Sequence, residues 1–452
     1  MARLFGTDGL RGIANADLGG ELAYKVGAVG AYVLTNEVHS PRILVGADTR
    51  KSSPMLSAAL SAGICSVGGD VLDVGVLPTP ALAYLARRYE ADAAVMITAS
   101  HNTMEYNGIK WFDGRGFKLS DELEDKIEEL IAANAALPHP VGNDVGRIIQ
   151  AVRARQDYCD YLAEQSAGRF EGQRIVLDCA NGSAAAIAKD VFERLGAEVI
   201  AKSCAPDGTN INDRCGAMHP ERLQQMVVNY GADLGFAFDG DADRLISCDE
   251  YGNIVDGDQA MGILALAMKE RGELKKDTLV ITVMSNLGLK KAMEAAGVRV
   301  VETKVGDRYV MEEMLNKRYC LGGEQSGHVI LLDRGTTGDG MLTAISLLNV
   351  VVESRKRLSK LAAQIPRYPQ VLVNVQVAGE VKEAAMQDAE LAKAAEQAEK
   401  ALGGDGRVLL RASGTEPLIR VMLEGRDEAE ILRHALALAH ILVNKYNGRI
   451  KS

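Results

Sequence analysis

Three aspartates at alternate positions, Asp239, Asp241 and Asp243 in "FAFDGDADRLISCDE" (236–250), form the densest chemical signal in this 452-residue chain. In an extended segment alternate side chains share a face. Three carboxylates on one face repel one another unless a cation lies among them. Such hard oxygen donors suit Mg²⁺ or Ca²⁺ better than zinc. The stretch also mimics a calcium-binding EF-hand loop, with Asp at its first, third and fifth positions and Glu250 at the twelfth. However, the sixth position, where that loop needs glycine for its sharp turn, is Arg244. The flanks "LGFAF" and "RLISC" read as strands, whereas an EF-hand has helices. A D-x-D nucleophile motif of a phosphatase and a solvated acidic turn stay open beside the favoured reading, a divalent-metal site.

Further motifs surround this one in the sequence. "TASHN" (98–102) places Ser100 beside His101 at the end of the apolar run "AAVMI", and "NGIK" follows with Lys110. The glycine-flanked G-x-S-x-G elbow of serine hydrolases is missing. "RASGTEPLIR" (411–420) supplies Ser413, Gly414 and Thr415, whose backbone N–H groups and hydroxyls can surround an anion, with Arg411 and Arg420 to balance its charge. The same letters are also a plain turn signal. "GTDGLRG" (6–12), with Arg11, is a weaker anion-holding candidate of the same kind. "GGEQSGH" (322–328) sets Glu324 and Ser326, suited to sugar hydroxyls, next to His328, a potential acid or base; a tight loop with a solvated histidine is the plainer alternative. No Gly-Lys dipeptide occurs, which removes a Walker A nucleotide site.

Short β-rich runs alternate with helical stretches, the rhythm of α/β units with largely parallel sheets. "RILVGADTR" (42–50), "RIVLDCANG" (174–182) and "TLVITVMSN" (278–286) each begin such a unit. Folds of this class bind ligands beyond the carboxyl ends of their strands, where "TASHN" falls. The tail differs. "QVLVNVQVA" (370–378), "RVLLRAS" and "LIRVMLEG" read as strands, and 380–402 as a helix. A last helix opens at Asp427 with Glu430 in capping-box spacing and an apolar face at Ile431, Leu432, Ala435, Leu436, Ala439, Leu442 and Val443. The expected organisation is three α/β domains, at 1–155, 156–252 and 253–368, and a small α+β domain at 369–452 behind the proline-containing linker "QIPRYPQ" (364–370).

Composition narrows the class. Apolar residues make up 47% and charged residues 25%, as in globular proteins. A net charge of −10 argues against a nucleic-acid partner, since phosphate-backbone affinity needs basic surface. No apolar run approaches the ~18 residues that span a bilayer, and the N-terminus breaks for Gly and Asp before a signal peptide could form. Seven scattered cysteines without a C-x-x-C pair read as reduced thiols in the cytoplasm.

Taken in order, "LFGTDGLRG", "TASHN" with "NGIK", "DCANG", "DGDADR", "GGEQSGH" and "SGTEPLIRVMLEG" resemble the α-D-phosphohexomutase superfamily, and within it the aminosugar branch. The match runs from residue 3 to the last helix. The family's serine loop usually continues with Pro and later Asp; here those positions are Thr103 and Tyr106. The resemblance implies four domains around a central cleft, with the last domain closing as a lid. It implies that Ser100 carries a phosphoryl group and that one Mg²⁺ per chain is held by Asp239, Asp241, Asp243 and a phosphate oxygen on Ser100. The reaction it implies interconverts glucosamine 6-phosphate and glucosamine 1-phosphate, with glucosamine 1,6-bisphosphate as intermediate and activator. Arg244 and Lys110 would stabilise the moving charge, and Lys110 or His328 would exchange the proton. His101 lies beside the nucleophile, Arg11, Glu324 and Ser326 would meet the substrate, and the C-terminal loop would hold its second phosphate. The alternative within the superfamily is a phosphomannomutase or phosphoglucomutase. Outside it stand a phosphatase using Asp239 and a non-catalytic sugar-phosphate binder. The expected partner is a small-molecule sugar phosphate, with no nucleic acid and no membrane, and a homodimer is left open.

Overall fold

The computed structural model describes residues 4–6, 9–34, 40–413 and 417–451. These form two compact units, the first comprising 1–284 and 296–364 and the second 285–295 and 365–452.

The first unit contains three sheets. In the seven-stranded sheet, Arg42–Ala47, Asp70–Val76, Ala93–Ile97 and Ile148–Gln150 run parallel, and Tyr106–Asp113 and Gly9–Ile13 add antiparallel strands beyond Ala93–Ile97. Ala93–Ile97 is buried throughout, which explains its unbroken apolar sequence: a parallel strand covered on both faces has no polar side to show. A five-stranded sheet has Arg174–Asp178, Glu198–Lys202 and Leu234–Phe238 in parallel, and Leu245–Asp249 turns back antiparallel to Leu234–Phe238. A four-stranded sheet has Thr278–Thr282, Arg299–Thr303 and Leu321–Gly323 in parallel, with Val329–Leu331 antiparallel at the edge. The three runs expected to begin α/β units thus each begin with a parallel strand, and all three sheets are mixed.

The second unit is a four-stranded antiparallel sheet of Gln370–Gln376, Arg407–Ala412, Leu418–Glu424 and Arg449–Lys451, covered by helices. It also takes in Ser285–Ala295, because the buried carboxylate of Glu424 accepts from the Asn286 amide and the Leu287 N–H, while Lys291 pairs with Asp405. The helix expected over 380–402 is interrupted. Lys382–Met386 ends at Gln387, and Asp388 then caps a new helix, Ala389–Leu402, accepting from the N–H groups of Glu390 and Leu391. The last helix, Glu428–Tyr446, starts where the capping spacing places it, with Asp427 accepting from the Glu430 N–H at 3.0 Å. Its buried stripe is Ile431, Ala435, Leu438, Ala439 and Leu442; Leu432 points outward, 42% exposed. The stripe is rotated because positions 431, 435, 438 and 442 stack on one helical face and Leu432 lies 100° away.

Candidate functional site

The aspartate loop is the turn of a hairpin. Strands Leu234–Phe238 and Leu245–Asp249 pair antiparallel with Phe238 opposite Leu245, and residues 239–244 connect them. This corrects the expectation that alternation along an extended segment brings the three carboxylates together. The loop folds back tightly, Ala242 takes a left-handed φ of 55°, and the turn gathers the side chains. The outcome is the same: ligand atoms of Asp239, Asp241 and Asp243 lie within 4.8 Å of one another, all buried. Strands on both sides of the loop also exclude the helix-flanked EF-hand.

Ser100 follows the buried strand Ala93–Ile97 and reaches this loop directly. Its Oγ donates to Asp239 Oδ2 at 2.6 Å, and Ser100 is 2% exposed. The residue has φ 51°, a conformation in which a non-glycine residue is strained. The strain is held by its surroundings. The Ser100 N–H donates to Thr98 Oγ1 at 2.9 Å, and the Ser100 carbonyl accepts from Arg50 and from Asn212 at 3.0 and 2.9 Å. A Cβ at residue 240 would stand 2.5 Å from that carbonyl, so only glycine lets the serine and aspartate loops approach this closely.

Arg50 holds the rest of the serine loop. Its guanidinium donates to the carbonyls of Asn102, Thr103 and Tyr106 as well as Ser100, and to Asp48, with both side chains of the Arg50–Asp48 pair fully buried. Thr103 and Tyr106, where the resembling family usually has Pro and Asp, therefore sit in and at the end of a loop fixed through its carbonyl groups.

Positive charge meets the triad from two sides. Lys110, on strand Tyr106–Asp113 opposite Met96, places Nζ 3.0 Å from Asp241 Oδ2 and 3.8 Å from Asp243 Oδ2. Arg244 donates its backbone N–H to Asp239 at 3.2 Å and sets its guanidinium 3.8 Å from Asp243. Thr79 donates to Asp241 Oδ2 at 2.6 Å. His328 is buried, with Nδ1 3.6 Å from Asp243 Oδ2. Burial, reinforced by Asp243 and Asp241, pushes the Asp239 carboxyl well above the usual range. For Asp243 burial acts in the same direction but is outweighed by His328, Lys110 and Arg244, which hold it low. His101, 3.4 Å from Ser100 Oγ, is pushed down to about 4 by burial and by Arg244 and Arg11, so its ring is neutral at physiological pH.

Among the described residues, Asp241 Oδ1 and Asp243 Oδ1 are buried without a hydrogen-bond partner. A buried carboxylate oxygen without a donor is costly, and two of them in one three-carboxylate cluster fit a hard cation. The donor set can hold a divalent metal, and Ser100 Oγ lies next to it.

Arg11, on strand Gly9–Ile13, donates to Asn102 Oδ1 at 3.4 Å, at the margin of the serine loop. Glu324 is half-buried and accepts from the Gly306 N–H at 3.2 Å; Ser326 is exposed. The loop carrying them is tied to the aspartate hairpin through the Leu245 N–H, which donates to the Gly327 carbonyl at 3.0 Å.

In the second unit, Arg411 and Arg420 face each other directly across neighbouring antiparallel strands. Burial and the nearby Arg420 lower the Arg411 pKa, so this pair of like charges favours an anion. Ser413 is buried at the end of the strand, and Lys382 donates to its carbonyl at 2.7 Å. Gly414 and Thr415 lie outside the described residues.

Known proteins match this arrangement along the whole chain. Models of the phosphoglucomutase/phosphomannomutase family match in order: α/β/α domain I over residues 2–137, domain II over 156–252, domain III over 256–368 and the C-terminal domain over 372–441. The chain belongs to the phosphoglucomutase/phosphomannomutase family. Its fold is that family's four-domain fold, three α/β domains with mixed sheets and a small C-terminal domain. Relatives named phosphoglucosamine mutase, from Thermoanaerobacter sp. (strain X514) and Clostridium acetobutylicum, are each 52% identical to it over 99% of this chain and 100% of their own. A crystal structure of a family member from Burkholderia thailandensis shares the fold at a TM-score of 0.83, with 24% identity and 99% of each chain covered. Aspergillus fumigatus N-acetylphosphoglucosamine mutase, crystallised with GlcNAc-6P and magnesium, aligns at a TM-score of 0.70 with 17% identity, over 98% of this chain and 96% of that one.

Several residues that contact these side chains and loops escape the motif reading. Arg50 and Asp48 lie in "GADTRKSS", whose letters look like an exposed loop. Thr79, Asn212, Lys118 and Asp307 reach the site from distant positions. No described helix is long and apolar enough to cross a membrane.

Proposed function

We propose that this protein is a phosphoglucosamine mutase, which isomerises glucosamine 6-phosphate and glucosamine 1-phosphate through a phosphorylated Ser100. The observation that carries this reading is the 2.6 Å contact between Ser100 Oγ and Asp239 within a buried three-carboxylate cluster flanked by Lys110 and Arg244. A serine so placed suits a phosphoryl carrier: phosphorylation adds nearly two negative charges and three acceptor oxygens. Asp239, Asp241 and Asp243 would hold one Mg²⁺, which when bound supplies charge neutralisation at the phosphoryl group.

In the forward direction the free sugar hydroxyl attacks phosphorus, the bond from phosphorus to Ser100 Oγ breaks, and glucosamine 1,6-bisphosphate results. After the sugar turns over, Ser100 Oγ attacks its other phosphate and the sugar oxygen leaves, restoring phosphoserine. The hydroxyl proton passes to Lys110 or His328 and returns on the second half-reaction. Phosphoryl transfer of this kind depends chiefly on positioning and charge, and Arg244 and Lys110 provide both. Glu324 and Ser326 bind sugar hydroxyls, and Arg11 borders the serine loop. Arg411, Ser413, Gly414, Thr415 and Arg420 take the phosphate that is not reacting. Seven free thiols fit a reducing cytoplasm.

Mass spectrometry of the purified protein should locate phosphate on Ser100, and Ser100→Ala should abolish isomerisation while sugar-phosphate binding persists. Coupled assays on glucosamine, mannose and glucose phosphates test the substrate. A clear preference for a hexose phosphate would replace the aminosugar assignment with phosphomannomutase or phosphoglucomutase.

A further inference from the structure

His328 has a carboxylate at each edge of its ring. Nδ1 faces Asp243 Oδ2 at 3.6 Å, and Nε2 faces Asp307 Oδ2 at 3.4 Å. The Gly338 N–H donates to Nε2 at 3.1 Å, and a Cβ on residue 338 would lie 2.6 Å from ring atoms, so the imidazole rests flat against glycine backbone. The ring is 3% exposed and its position is set by these neighbours.

Asp307, the first residue of helix Asp307–Lys317, is itself held by a residue distant in the chain. Lys118, just beyond strand Tyr106–Asp113, places Nζ 2.5 Å from Asp307 Oδ2, with each side chain 17% exposed. The adjacent Arg308 ties the same connection, pairing with Asp121 and Glu124 and donating to the Leu119 carbonyl. A continuous chain of side chains therefore runs from Lys118 through Asp307 and His328 to Asp243. Of these, only His328 and Asp243 have a role in the proposed reaction.

We infer that Asp307, held by Lys118, is a positioning residue that fixes His328 against Asp243 and so sets the affinity of the aspartate triad for a divalent cation. The physical basis is general: partners that orient a ligating carboxylate from outside the coordination shell change metal affinity or activity by about 10–100-fold when lost. Asp243 is the triad member that His328 touches, and an imidazole free to swing would leave its carboxylate without that restraint. The inference rests on the triad being a metal site, which the proposed function also uses.

The test uses full-length protein and Mn²⁺ as the metal probe, followed by electron paramagnetic resonance, alongside kcat and KM for glucosamine 6-phosphate. Asp307→Asn keeps the shape and removes the charge; it should weaken Mn²⁺ binding about 10-fold and lower kcat by about 10–100-fold, with KM little changed. Lys118→Met should act in the same direction but less strongly, and Lys118→Arg should restore both readouts. Met at position 118 meets the apolar wall of an adjoining cavity of about 320 Å³ lined by Phe117, Leu123 and Met311, so this variant reports even where Asp307→Asn folds poorly. Unchanged Mn²⁺ affinity in both variants overturns the inference. So does a rise in KM alone, which would place Asp307 on the sugar. A wild-type protein with Asp307-dependent Mn²⁺ binding but no mutase turnover would remove the proposed function and leave this inference standing.

Discussion

The two phosphate-handling regions proposed here are built on opposite charge logic. Around Ser100 three carboxylates are buried together, with a lysine, an arginine and a histidine packed against them. Around Ser413 two arginines face each other across strands, with a lysine on the neighbouring carbonyl. The first arrangement concentrates negative charge that a metal and two cations can balance, as a site of bond making and breaking requires. The second gathers positive charge that favours an anion, and among the described residues it shows no nucleophile braced by a base. The proposed function thus separates binding from chemistry within one chain, and substitutions in the two regions should change different kinetic constants.

The largest effect falls on the chemical side. Ser100→Ala should reduce isomerisation by on the order of 10³-fold or more, as loss of a nucleophile does; single-turnover assays with bisphosphate would reveal any residual transfer. Arg50→Met comes next, in stability. It leaves the buried Asp48 without its cation, and breaking such a pair costs about 3–5 kcal/mol. Urea denaturation measures it, and a loss below about 1 kcal/mol would show that Asp48 takes up a proton in place of its partner. On the binding side, Arg420→Ala should raise KM for glucosamine 6-phosphate about 10–100-fold with kcat largely kept, the loss of a charge-assisted hydrogen bond worth about 1.5–3 kcal/mol. A fall in kcat with KM unchanged would erase the proposed division of labour.

The smallest effect concerns pH. His101 is neutral in the folded chain down to about pH 4 and titrates near 6.5 when unfolded. Unfolding therefore takes up a proton between those values, so this group's contribution to stability is present above about pH 6.5 and is lost as pH falls towards 4. His101→Asn should flatten the rise of the denaturation midpoint across that window relative to the parent protein. Parallel curves would mean that His101 is less enclosed than its contacts with Ser100, Arg244 and Arg11 indicate.

Much of the reacting region is visible in the sequence because its chemistry is local. Asp239, Asp241 and Asp243 are close in the chain, and Asp427 with Glu430 marks a helix start through a single hydrogen bond. Arg50 is not visible. Arginine is seldom fully buried, and four long-range carbonyl partners, with Asp48 two residues away, make this one buried. The left-handed conformation of Ser100 is hidden for the same reason, since Asn212 and Arg50 impose it from outside "TASHN". Counting apolar letters places Leu432 in the stripe, whereas the buried face depends on which side the sheet covers.

The grip of Arg50 on carbonyl groups has a consequence for how this loop can evolve. A clamp that holds the main chain is indifferent to the side chains it carries. Positions 103 to 106 are therefore free to drift, and Thr103 and Tyr106 can replace the residues usual in the family without releasing the nucleophile. A library randomised over 103–106 should retain function far more often than one of equal size at 48–50, where every letter is committed.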